Sequence, residues 1–184
     1  MNRSNSNTHL PRKLYTADQV RALDALLIEH IPISALKLMR RAASVVLSAI
    51  SQRWPQLRRL VIFVGTGNNG GDGYYVAVLA AAAGIKVQVL ECGDITRLRG
   101  DAASAREEAL ASGVACKQCD ILLDLSSAQF GQETVLVDAL LGIGHRGPLR
   151  GAFDPTIVWM TGTGLPIVSV YVPSGLNCYT RHVA

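Results

Sequence analysis

The apolar run Leu60-Val61-Ile62-Phe63-Val64 leads directly into Gly65-Thr66-Gly67-Asn68-Asn69-Gly70-Gly71-Asp72-Gly73, and an Ala-, Val- and Leu-rich segment, Tyr74 to Ala83, follows. A buried strand, a glycine-rich turn and a helix in that order leave few folds open. The glycines let backbone N–H groups approach an anion closely. The helix N-terminus adds its partial positive charge. A phosphate or pyrophosphate suits such a turn. The spacing of Gly65, Gly67 and Gly70 matches the dinucleotide pattern G-x-G-x-x-G, which is a weak signal alone. Asn68, Asn69 and Asp72 make the turn less ordinary, because they add amide and carboxylate groups to a phosphate cradle. Without a ligand, the same residues would simply cap the helix.

The rest of the chain supports this reading. Thr16-Ala17-Asp18-Gln19 has the form of a capping box. It opens a helix with Val20, Leu23, Leu26 and Leu27 on one face. Beyond Pro32, Ser34 caps a second helix with the stripe Leu36, Met39, Ala43, Val46, Leu47 and Ile50, ended by Trp54-Pro55. Strands are expected at 59–64, 86–90, 119–123, 134–138 and 165–172. Helices are expected at 74–83, 100–112 and 151–161, with Ala103, Ala109 and Leu110 on the buried side of the second of these. The alternation predicts a Rossmann-like α/β fold, a three-layer αβα sandwich with a mainly parallel sheet. Residues 1–13 read as a flexible tail, and 14–184 as one nucleotide-binding domain.

Composition narrows the function classes. The net charge of +4 comes largely from arginines before the glycine turn. No aromatic stacking platform accompanies them, so solvated helix faces are favoured over nucleic-acid binding. No apolar run approaches a membrane span, and the polar start, Met1 to His9, lacks the apolar core of a secretory signal. Of the four cysteines, Cys116 and Cys119 form a lone C-x-x-C. No second pair or suitably spaced histidines complete a zinc set, so reduced, non-catalytic thiols in the cytoplasm are expected.

Ligands of a parallel sheet bind at the carboxyl ends of its strands. Two further loops belong there. One runs from Asp138 through Gly142-Ile143-Gly144-His145-Arg146-Gly147-Pro148, where Arg146 can pair with phosphate. The other is Tyr171-Val172-Pro173-Ser174-Gly175-Leu176-Asn177. Glu91, ending the second strand about 20 residues beyond the glycines, stands where a ribose-binding acid of a dehydrogenase belongs.

Together with Leu38-Met39-Arg40-Arg41-Ala42, these loops make the chain resemble the NAD(P)H-hydrate epimerase family, the YjeF N-terminal domain. The resemblance covers roughly residues 14–179. It implies a Rossmann-like domain that commonly dimerises and interconverts the R and S forms of hydrated NADH or NADPH, NAD(P)HX. A partner dehydratase, fused in many bacteria, then repairs both forms. It also implies substrate contacts at Asn68, Asn69, Gly70, Gly71 and Asp72 and at Gly142, Ile143, Gly144, His145, Arg146, Gly147 and Pro148. A potassium ion is implied at Asn69, Asp138 and Ser174, all hard oxygen donors.

The family's pattern Asp-x-Pro-Ser-Gly departs here. Its Asp, the acid–base group, is replaced by Tyr171, and Tyr179 likewise stands where an Asp is frequent. A phenol with an ordinary pKa of about 10 is a poor base near neutrality, which leaves Asp72 as the alternative. Family members also continue with further strands beyond this chain's last residue. The expected function is therefore NAD(P)HX epimerisation, impaired by Tyr171. The alternative is a non-catalytic nucleotide- or RNA-binding module on the same fold. A dehydrogenase ranks third, for want of a hydride-transfer constellation.

Overall fold

In a computed structural model of the chain, residues 15–30, 33–119, 130–145 and 147–176 are described. The helices are α1 (Ala17–His30), α2 (Ala35–Arg53), α3 (Asn68–Ala82), α4 (Gly100–Ala111) and α5 (Phe153–Gly162). The strands are β1 (Arg59–Val64), β2 (Lys86–Glu91), β3 (Ala115–Gln118), β4 (Thr134–Ala139) and β5 (Ile167–Ser169). All pair in parallel, in the order β3-β2-β1-β4-β5.

Side-chain alternation along β1 divides the core. Leu60, Ile62 and Val64 point to a layer formed with α2, α3 and α4. Val61 and Phe63 point to the opposite layer, with Met160 and Trp159 of α5. Both faces of the sheet are thus covered, which is why its central strand β1 is apolar from Leu60 to Val64. The expected three-layer sandwich is the observed one. Its direction reverses between β1 and β4, where the chain leaves first to one side and then to the other. The loops following these two strands diverge there and leave a crevice.

Several local expectations hold. Thr16 and Gln19 form the reciprocal capping box, with N–H···O distances of 2.9 and 3.3 Å. The Ser34 hydroxyl accepts from the Lys37 N–H at 3.3 Å. Met39, Ala43 and Ile50 are buried as the α2 stripe required.

Four expectations are corrected. Leu23, Leu26 and Leu27 of α1 are exposed rather than packed. The inner side of that helix carries Ala17, Val20 and Asp24 instead. In α4 the buried side is Ala102, Ala105 and Ala109, with Leu110 exposed, because only small side chains fit where α4 lies against α3. The third strand is Ala115–Gln118, a half-exposed edge whose sequence lacks an apolar run; most of the expected 119–123 strand lies outside the described residues. Finally, the glycine turn is much shorter than expected, since α3 begins at Asn68 rather than Tyr74.

Candidate functional site

The early start of α3 changes what its glycines do. Gly70, Gly71 and Gly73 are helical, and all three are buried. A Cβ on Gly70 would lie 2.0 Å from the Gly65 carbonyl oxygen. One on Gly71 would meet the Met39 side chain at 2.8 Å, and one on Gly73 the Ala139 Cβ at 2.6 Å. Glycine is a poor helix former, but here it brings the helix against β1, α2 and β4. Gly65 does the same for the loops, since its Cβ would lie 2.0 Å from the Leu140 carbonyl oxygen. Gly70 and Gly71 therefore serve the packing of α3, and neither lines the cavity described next.

The first turn of α3 borders a cavity. The helix N-cap, Gly67, offers no side chain to the free N–H groups. Thr66, Gly67 and Asn68 line this cavity of about 610 Å³. Gly142, Ile143, Gly144 and His145 form its wall from β4, and Tyr171 stands on the loop after β5. The structure thus brings together most of the residues expected to bind substrate. Gly147 and Pro148 are exposed and lie outside that wall. Arg146, Cys178 and Tyr179 lie outside the described residues.

Asn69 and Asp72 are both buried on α3 and both line the cavity. The Asn69 amide donates to the Leu141 carbonyl at 3.0 Å, while its Oδ1 is buried without a hydrogen-bond partner. Burial, with the nearby Asp24 carboxylate as a second cause, pushes the Asp72 carboxyl up to about 7. Tyr171 is 43% exposed. Desolvation, then Asp72 and Asp24, raise its phenol to about 12.

Behind this wall Asp138 ties β4 to the loop after β5. Its Oδ2 accepts from the Ser174 N–H at 2.7 Å and the Ser169 hydroxyl at 3.2 Å. Its Oδ1 accepts from the Ser174 hydroxyl at 2.6 Å and the Leu140 N–H at 3.2 Å. The Ser174 hydroxyl in turn accepts from the Leu141 N–H at 3.0 Å. Asn69 meets the same residue at its carbonyl, so Asn69, Asp138 and Ser174 converge on residues 140–141.

Glu91 has no part in the cavity. It is buried, receiving the Tyr74 hydroxyl at 2.8 Å and Arg106 Nε at 2.6 Å. This counts against the ribose-binding reading. Cys92 and Cys116 are in no disulfide, and burial pushes Cys116 up to about 11, away from reactivity. Among the described residues no group of His, Cys, Asp and Glu could hold a metal ion, and no helix is long and apolar enough to cross a membrane. Sequence reasoning missed Arg21, Asp24 and Asp101, which also line the cavity. Asp24 was hidden by a leucine pattern that pointed the other way.

Comparison with known proteins adds an independent line. The profile of the family described as YjeF-related protein N-terminus matches residues 35–184. The NAD(P)H-hydrate epimerase of Limosilactobacillus fermentum is 35% identical over 168 residues, covering 91% of this chain and 77% of that protein. The NAD(P)H-hydrate epimerase of Rhodobacter capsulatus is 33% identical over 177 residues, covering 92% and 80%. The bifunctional NAD(P)H-hydrate repair enzyme Nnr of Coxiella burnetii is 35% identical over 164 residues. That match takes in 89% of this chain but spans only 32% of the relative. The crystal structure of yeast ynu0, YNL200c, superposes with a TM-score of 0.77 at 22% identity, covering 90% of this chain and 72% of the yeast chain, which shows a shared fold.

Proposed function

The chain belongs to the YjeF-related N-terminal family, and from that premise we propose that it interconverts the R and S forms of hydrated NADH or NADPH. The observation that carries the reading is the Asp72 carboxyl. It lines the cavity beside an uncapped helix N-terminus, and burial raises it to about 7. The phosphates suit the N–H groups at the start of α3. The hydrated nicotinamide suits the deeper region by Asp72 and Tyr171.

Changing R into S inverts the carbon that bears the added hydroxyl. One C–O bond breaks and another forms on the opposite face. The departing hydroxyl needs a proton, and the incoming water must lose one. A carboxyl poised near neutrality can give and then take that proton. Tyr171 cannot do so readily with its phenol at about 12. It occupies the position of the family's Asp, so we propose a slower epimerase with Asp72 as its proton-transfer group.

Potassium fits the donor set. Asn69, Asp138 and Ser174 would hold it, with the partnerless Asn69 Oδ1 as the donor left free by the protein. When bound, the ion would neutralise pyrophosphate charge. Thermal stability should rise with potassium more than with tetramethylammonium at equal concentration. Asn69→Ala should remove the difference, and its persistence would dismiss the ion site.

The product forms go to a dehydratase, in line with the bifunctional repair enzymes among the relatives. The outward leucines of α1 support a homodimer, and Cys92 and Cys116, in no disulfide, support a reducing compartment, the cytoplasm.

The test is epimerisation of purified NADHX, followed by chromatographic separation of R and S. Asp72→Asn should lose about 10²–10⁴-fold in rate. Tyr171→Phe should stay near wild type, and Tyr171→Asp should be faster. A wild-type chain that binds nucleotide without epimerising it would favour the binding-module alternative.

A further inference from the structure

Helix α1 is inside out. Leu23, Leu26 and Leu27 are 43%, 49% and 37% exposed, whereas Ala17, Val20 and Asp24 are half-buried. These three follow one helical stripe, and a carboxylate sits on it. A charge on the inward side of a helix, with leucines outward, opposes ordinary burial preferences and calls for a reason at its destination. That destination is the cavity. Asp24 from α1, Asp72 from α3 and Tyr171 from the loop after β5 all line it. The span matched by the family profile begins only at residue 35, so α1 brings in a group from outside it.

Two carboxyl groups lining one cavity do not ionise independently. The more buried one keeps its proton while the more hydrated one carries the charge. Asp72 is 4% exposed, and Asp24 is only half-buried. The other charged and titratable groups of the wall do not reverse this order. Arg21 is held by Asp18 at 2.5 Å. Asp101 of α4 adds negative charge. The His145 ring is bonded to the Gly147 carbonyl at 2.9 Å, and Tyr171 stays a neutral phenol.

We propose that Asp24 is a positioning residue for this site: delivered by α1 to the cavity that Asp72 also lines, its carboxylate adds to burial in favouring the acid form of Asp72. The inference rests on the epimerase reading only for its consequence, since the pair exists in the unliganded protein. Asp24 itself transfers no proton. It sets which carboxyl holds one, and α1 thereby becomes part of the acid–base apparatus.

The test reads Asp72 directly. Carbon NMR of carboxyl-labelled, unliganded protein follows its titration in wild type, Asp24→Asn, Asp24→Glu and Glu29→Gln, an exposed control on the same helix. The Asp72 midpoint should fall by half a pH unit or more in Asp24→Asn. It should stay near the wild-type value in Asp24→Glu and Glu29→Gln. The acidic limb of the epimerisation profile should move with the midpoint, with kcat changing more than KM. An unmoved midpoint in Asp24→Asn, with α1 helicity retained by circular dichroism, overturns the proposal. So does an equal shift in Glu29→Gln. Should the wild-type chain fail to epimerise, the NMR titration still decides the pair, while the epimerase reading falls separately.

Discussion

Gly70 stacks on Gly65 so closely that a Cβ on Gly70 would lie 2.0 Å from the Gly65 carbonyl oxygen. The contact is backbone on backbone, so no side chain can turn aside to relieve it. Gly70→Ala should destabilise the fold by about 3 kcal/mol or more, at the high end of overpacking costs. At Gly67 a Cβ meets nothing within 4 Å and φ is −99°. Gly67→Ala should cost less than about 1 kcal/mol, the scale of an N-cap change. Urea denaturation of the two variants measures the contrast, and equal losses would show that the close approach is absent in solution.

The proton on Asp72 makes stability depend on pH. The native carboxyl titrates near 7 against an ordinary 3.8 when unfolded. Below 3.8 both states hold the proton, and the stabilising effect is fully present. As pH rises towards 7 the unfolded chain releases its proton first, so this contribution is lost, and above 7 the curve levels. Asp72→Asn should flatten this slope and gain stability over wild type at pH 8, on the order of a few kcal/mol. Denaturation midpoints of both proteins between pH 4 and 8 provide the check.

Glu91 anchors β2 to α3 and α4 through Tyr74 and Arg106. Glu91→Gln should cost about 3 kcal/mol, the lower end for breaking a buried pair, because Arg106 stays partly hydrated. Nucleotide affinity by calorimetry should be unchanged. A large loss of affinity with stability intact would revive the ribose-binding reading.

Leu26 is central to the outward row of α1 and 49% exposed. If a second copy covers this row, Leu26→Glu should convert a dimer into a monomer in sedimentation equilibrium. The variant's own fold should hold, because the side chain packs little within the chain.

The sandwich was legible because its central strands, β1 and β4, carry apolar runs that announce burial on both faces. Val61 and Phe63 could not be assigned to a particular layer until α5 was seen to lie over them. The start of α3 was misread for a physical reason. Low helix propensity over Asn68 to Gly73 favours a loop locally, and tertiary packing overrides it: Gly70 admits the Gly65 backbone, and Gly71 and Gly73 the Met39 and Ala139 side chains, at close range. Asp24 was invisible because the α1 leucines give the stronger periodic signal, and periodicity does not say which side faces the body. Glu91 had the right spacing for a ribose acid, but Arg106 comes from a different helix, and no spacing along β2 announces it. The loop residues 142–145 and Tyr171 were legible together because strand-end loops of a parallel sheet share one edge.

That six-residue opening of α3 carries a further consequence, for how the gene can vary. Each residue in a helix is turned about 100° from the one before. Asn69 and Asp72, three apart, therefore share the cavity side, while Gly70, Gly71 and Gly73 meet β1, α2 and β4. A loop of the same composition could absorb an inserted or deleted residue. Here a single insertion would swing the amide and the carboxyl out of the cavity and drive side chains into backbone, so the length of this segment is held fixed even where the residues around it vary.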